Sequence, residues 1–168
     1  MSLVLFRSVF SSLAICLILV RNSYPQNDTP LSAEDSVAVW AVLERYRTTW
    51  LANGQNGVLS TFAKNAILMP AHGGSPVKGL TEIKKYWWPR STTKTTITRF
   101  VQKFDEVSGD EKLAYARGTS DVEWRSENGG TQNWQNDSSF LFLLKRQADG
   151  TWRISHLIWD AGENKRLK

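Results

Sequence analysis

The sequence predicts an α+β domain with its helices early and its long strands late. Three observations carry this. Val39, Leu43, Tyr46 and Trp50 recur at spacings of four, three and four, the period of one buried helix stripe. From Thr95 onward the chain shows runs rich in Thr, Val and Phe, cut by turn-forming pairs such as Asp149-Gly150. The 168 residues, 41% hydrophobic and 22% charged, suit one globular domain and exclude collagen-like, coiled-coil, disordered and polytopic membrane chains.

Each element follows from local signals. Ser32 is placed to cap the first helix, with Glu34 and Asp35 in the first turn, where the positive helix end favours acids. Asn53-Gly54 stops that helix. A short second helix is expected over Asn56 to Ala63 and a short apolar strand over Ala66 to Met69, stopped by Pro70. Ala71 to Lys78, with Gly73, Gly74 and Pro76, reads as a loop. Thr81 is expected to cap a third helix, Glu82 to Trp88, that Pro89 ends. Four strands follow: Thr95 to Val107, Leu113 to Arg125, Asn133 to Arg146 and Thr151 to Asp160. The turns Ser108-Gly109-Asp110, Asn128-Gly129-Gly130 and Asp149-Gly150 join them as an antiparallel meander.

The strand faces carry further information. Ala114, Ala116, Gly118, Ser120, Val122 and Trp124 share one side of their strand and are mostly small, which leaves room beneath the helices for a bulky side chain or a ligand. Phe140-Leu141-Phe142-Leu143-Leu144 is apolar on both sides. A half-solvated antiparallel strand alternates, so a second covered face is expected here, supplied by another subunit in a homodimer.

Val9 to Val20 is apolar apart from Ser11 and Ser12 and lies between Arg7 and Arg21. It suits a signal-peptide core ending near Ser23, or an uncleaved membrane anchor through residues 9–20. The first points to export, to a periplasmic or extracellular place. Cys16 is the single cysteine, and Ile15 before it is too large for a lipoprotein signal. A mature chain would hold no disulfide. Residues 24–33 read as a polar linker, 34–162 as the domain and 163–168 as a basic tail. Losing Arg7 and Arg21 takes the net charge from +5 to +3. The remaining basic residues are scattered, so nucleic acid is not an expected partner. Asn27 and Asn136 are sequons that matter only in a eukaryotic source.

The motifs Arg45-Tyr46 through Asn53-Gly54, Gly57-Val58, Phe62-Ala63 and Asn65-Ala66, then Gly79-Leu80-x-x-Ile83, then Asp149-Gly150-x-Trp152-x-Ile154 occur in that order. In order and spacing they resemble the nuclear transport factor 2-like superfamily, in its ketosteroid isomerase and SnoaL-like pattern, over residues 34–162. The resemblance implies a cone: three N-terminal helices packed on a curved antiparallel sheet, with a pocket between them. It does not fix an activity, because the superfamily holds isomerases, cyclases, dehydratases and non-catalytic binding domains.

The pocket residues must decide. Tyr46 matches the tyrosine of ketosteroid isomerases by position, but Met69-Pro70 stands where their general base should fall; their protonated acid should fall near Asn133 or Asp137, and Asn133 cannot be an acid. The catalytic candidates that remain are His72, in the glycine-rich loop, and His156 with Asp160. The last two alternate with Trp152, Ile154 and Ile158 on one face of the last strand, where a His–Asp arrangement could do acid–base work. Two histidines without an acid cluster do not make a metal site, and no cofactor is expected. The candidate ligand-binding residues are Tyr46, Trp50, Trp88, Gly118 and Trp124, drawn partly from the eight tryptophans. An aromatic-walled cavity suits a small, largely apolar ligand. Binding of such a ligand is the expected function. A cofactor-free lyase, isomerase or cyclase and a dimeric interaction module are the alternatives.

Overall fold

Ser32 organises the start of helix α1 (Ala33–Leu51). Its hydroxyl accepts from the Asp35 amide at 3.0 Å and donates to the Asp35 carboxylate at 2.9 Å. The computed structural model describes residues 30–90, 94–127 and 131–168. The segment 1–23 with Cys16, the Asn27 sequon, most of the linker and the Asn128-Gly129-Gly130 turn lie outside the described residues. Along α1 the expected stripe is buried at Val39, Leu43 and Tyr46, with Trp50 half-buried at its end. Asn53 leaves the helix in the left-handed region, φ 52. Its side chain then acts as a strand partner. Oδ1 accepts from the Ile97 amide at 2.8 Å, and Nδ2 donates to the Ile97 carbonyl at 3.2 Å.

The second helix is shorter than expected. Helix α2 is Gln55–Leu59, and Phe62 and Ala63 already belong to strand β1 (Phe62–Met69). The Thr61 hydroxyl folds back on the Val58 carbonyl at 2.6 Å, and Phe62 pairs with Ile154, so sheet pairing takes residues that local pattern assigned to the helix. Strand β2 (Val77–Lys78) returns from the glycine-rich loop against β1. Helix α3 (Leu80–Trp87) starts two residues earlier than a Thr81 cap implies. Its cap is Gly79 at φ 82, a conformation open to glycine, and the Gly79 amide is held by the Ala66 carbonyl. Trp88 leaves the helix because Pro89 disfavours helical geometry in the residue before it.

The expected meander is present as β3 (Thr95–Gly109), β4 (Leu113–Ser126), β5 (Gln132–Arg146) and β6 (Trp152–Ala161). The sheet order is β2-β1-β6-β5-β4-β3, with β1 parallel to β6. All three helices precede β3, although β1 and β2 separate the second from the third. Lys165–Leu167, expected in a basic tail, forms strand β7 against β5, with Lys165 opposite Gln135.

Register irregularities on β3 and β6 bend this sheet. Its concave side packs on α1. Ala114, Ala116 and Gly118 are buried there, and their small size admits α1's bulk: Tyr46 meets Phe142 edge-on at 5.2 Å. Gly118 has a second constraint. A Cβ on it would stand 2.0 Å from the Lys103 carbonyl, so β3 and β4 approach there only because the side chain is absent. Across the far end, Asp35 of α1 accepts from the Trp152 indole at 3.0 Å and pairs with Arg146 at 3.2 Å, tying the helix start to the β5–β6 hairpin.

Candidate functional site

The concave sheet face, α1, α3 and the loop after β1 enclose a cavity of about 360 Å³. The end of α1 supplies Tyr46 and Trp50, four apart and therefore on one face. Helix α3 supplies Trp87, which falls on the face of buried Ile83 four residues earlier. Trp124 comes from β4 and Trp159 from β6. These rings brace one another. Trp50 meets Trp87 edge-on at 5.2 Å and stacks on Trp88 at 5.0 Å. Such pairs are worth about 0.5–1.5 kcal/mol each beyond the area they bury.

The floor contains a polar row set by interstrand register. Gln102 lies opposite Ser120, and Ser120 lies opposite Ser138. The two serine hydroxyls bond to each other at 2.5 Å. Next along the sheet, Asn136 donates to the Gly162 carbonyl at 2.8 Å and to Asn164 at 2.9 Å, which secures the turn into β7. Two polar atoms of the wall have no such partner. The Trp50 indole nitrogen and the Gln102 side-chain oxygen are buried without a hydrogen bond. Leaving a buried donor or acceptor unpaired costs about 1–3 kcal/mol.

Burial pushes the Tyr46 phenol well above its ordinary range, and the nearby Trp50 indole opposes this only in part, without reaching hydrogen-bond geometry. The phenol therefore stays protonated and is a hydrogen-bonding group, not a base. His72 stands at the mouth, exposed, with its backbone at φ 60.

Four of the expected site residues, Tyr46, Trp50, His72 and Trp124, thus meet at one cavity. Trp88 stands behind Trp50 as a stacking support. Gly118 is a packing position, closed off by the Lys103 carbonyl. His156 and Asp160 do not share a face with Trp152 and Ile154, which corrects the expected alternation. Leu143 pairs with His156 but Leu144 pairs with Ile154, so Ser155 is an extra residue and the parity of β6 switches there. Trp152 and Ile154 point inward before the bulge, and Leu157 and Trp159 after it. His156 and Asp160 turn to the outer face, where Asp160 borders a shallow groove with Lys103, Asp121 and Asp137. There Arg99 holds the Asp121 carboxyl below its usual range. No carboxylate lines the inner cavity among the described residues, and no cluster of three metal-ligating side chains occurs among them.

Sequence reasoning missed Trp87, Trp159 and the Gln102-Ser120-Ser138 row. Trp87 was recoverable from its spacing to Ile83. The others required strand register.

No protein-family model matches the chain, and no curated protein does. Solved structures do match. A ketosteroid isomerase-like protein from Erwinia carotovora atroseptica aligns at 19% identity over 79% of this chain and 99% of its own, with a TM-score of 0.65. A conserved protein from Planctomyces limnophilus aligns at 14% identity over 81% of this chain and 100% of its own, TM-score 0.64. A protein from Catenulispora acidiphila in complex with S-DNPA aligns at 16% identity over 77% of this chain and 95% of its own, TM-score 0.55. At these identities the likeness is one of fold.

Proposed function

We propose that this chain, a nuclear transport factor 2-like domain by fold, binds a small, largely apolar molecule in its cavity. The observation that carries the proposal is the cavity itself: about 360 Å³, walled by Trp50, Trp87, Trp124 and Trp159, with a few polar groups on its floor. That size lies at the lower end of small-molecule sites, and the lining has their usual mix of many apolar and few polar groups. The Catenulispora neighbour holding S-DNPA supports the reading by analogy of fold. The apolar segment 9–20 supports export as the setting, and the apolar outer residues of β5 support pairing of two copies.

Binding is favoured over acid–base turnover because the expected acid–base pair, His156 and Asp160, faces away from the cavity. A catalytic reading would have to use His72 at the mouth with the protonated Tyr46 phenol. The test is native mass spectrometry of the purified protein, with organic extraction of what it carries, beside a Phe140→Trp variant that fills the cavity. A retained small molecule, lost in the variant, is expected. An empty wild-type protein whose tryptophan fluorescence responds to no aromatic compound would overturn the proposal. Conversion of an extracted ligand by wild type and not by His72→Ala would replace binding with catalysis.

A further inference from the structure

We infer that the cavity contains a subsite for a neutral group that both donates and accepts a hydrogen bond, a carboxamide or a hydroxyl, held between Gln102 and Trp50. The inference rests on the ligand-binding reading and specifies the ligand's polar end.

Two orphans define the subsite. Trp50 Nε1 is a buried donor on the helix side, and Gln102 Oε1 is a buried acceptor on the sheet side. Both residues line the same cavity, and neither atom bonds the other. Some of the surrounding polar groups are already committed, while the Tyr46 phenol, close to the Trp50 indole without reaching hydrogen-bond geometry, also faces the cavity. Asn136 gives its amide hydrogens to Gly162 and Asn164. Ser120 and Ser138 share one hydrogen bond, which uses one of their two hydroxyl hydrogens. The buried atoms left unpaired are therefore one acceptor, Gln102 Oε1, and one donor, Trp50 Nε1. A ligand with an O–H or N–H for Gln102 and an oxygen for the indole satisfies both.

Charge selects further. No Lys, Arg, Asp or Glu lines the cavity among the described residues. A carboxylate or ammonium placed deep in the cavity would lose its hydration without a Lys, Arg, Asp or Glu counter-ion, His72 standing exposed at the mouth. An apolar parent would fit the walls but leave both orphans unpaired. The subsite therefore ranks ligands of one shape by their polar end: neutral donor–acceptor first, apolar next, anion last.

The experiment titrates the full chain with naphthamide, naphthol, naphthalene and naphthoate at neutral pH, read by tryptophan fluorescence and calorimetry. Naphthamide and naphthol are expected to bind about tenfold tighter than naphthalene, the ratio that one well-made buried hydrogen bond supplies. Naphthoate is expected to bind more weakly than naphthalene. Gln102→Leu should bring naphthamide to within about threefold of naphthalene, both measured on that variant. Trp50→Phe, which keeps a ring and removes the N–H, should narrow the same naphthamide-to-naphthalene ratio within its own titration, whatever its overall affinity, and covers the case in which Gln102→Leu misfolds. Naphthalene binding as tightly as naphthamide in wild type, or an amide preference that survives both variants, overturns the subsite and leaves the pocket standing. No response to any of the four, naphthalene included, overturns the pocket and the subsite together.

Discussion

Asp35 is one side chain on which several distant parts of the chain converge. It accepts from the Trp152 indole and the Ser32 hydroxyl and pairs with Arg146. The Trp152 bond, more than the others, holds its carboxyl below the ordinary range, against a smaller opposing effect of burial. A carboxyl lowered on folding adds stability that is present above its unfolded value, near pH 4, and is lost as pH falls through the folded value. Asp35→Asn should therefore lower the thermal midpoint at neutral pH and flatten its decline in acid; parallel wild-type and variant profiles would show that Asp35 does not contribute. Gly118 makes an opposite demand, for the absence of atoms. With the Lys103 carbonyl 2.0 Å from where a Cβ would stand, Gly118→Ala forces β3 and β4 apart. A loss of roughly 1–3 kcal/mol in urea denaturation is expected. The sequence marked Gly118 as a member of a small-residue face. It could not show that the space belongs to the neighbouring backbone and not to a ligand, because that depends on which residue of β3 lies opposite.

Helix boundaries were legible where side chains speak to their own backbone, as at Ser32 and Asn53-Gly54. Ser32→Ala should cost about 1 kcal/mol of stability by chemical denaturation, the usual loss for a removed cap. Boundaries were less legible where pairing across the sheet overrides local pattern, as at Phe62. The largest consequence sits on β6. Nothing in Trp152-Arg153-Ile154-Ser155-His156 marks a bulge; there is no glycine or proline, and an unbroken period of two is the natural reading. The extra residue Ser155 is seen only in the pairing with β5, and it sends Trp159 into the cavity and His156 and Asp160 out of it. His156→Ala and Asp160→Asn should accordingly leave the affinity for an aromatic ligand within about twofold, whereas Trp159→Ala should weaken it about tenfold or more. Titration of the three variants checks this, and a large effect of His156→Ala would place that side chain back in the site.

At the scale of the molecule, the α+β order and the meander were legible, because they depend on periodicity and turn chemistry, and the pocket was expected only from the resemblance to a fold family. The polar row Gln102-Ser120-Ser138 was not, because it joins three strands across more than thirty residues and exists only once they are in register. The outer face of the same sheet carries the expectation of two copies. Leu141 lies opposite Ile158 and Leu143 opposite His156, and all four are half-buried. Wild type should sediment as a dimer and Leu143→Arg as a monomer with an unchanged fold; a monomeric wild type would remove the pairing.

The parallel alignment of β1 with β6 gives the domain an order of events as well as a shape. Phe62 meets Ile154, and Leu68 meets Leu157, so β1 waits for a strand made about ninety residues later. While a ribosome is still adding residues, α1 and β1 carry Leu43, Tyr46 and Phe62 with nothing to bury them. Contacts of that sequence separation form slowly, because a long loop must close before they reward it. The cavity wall at Trp159 is in place only after about a hundred further residues have followed α1. The nascent domain thus spends its vulnerable interval with its most aromatic helix uncovered, and a chaperone that shields α1 until β6 arrives would raise its yield more than one acting on the finished chain.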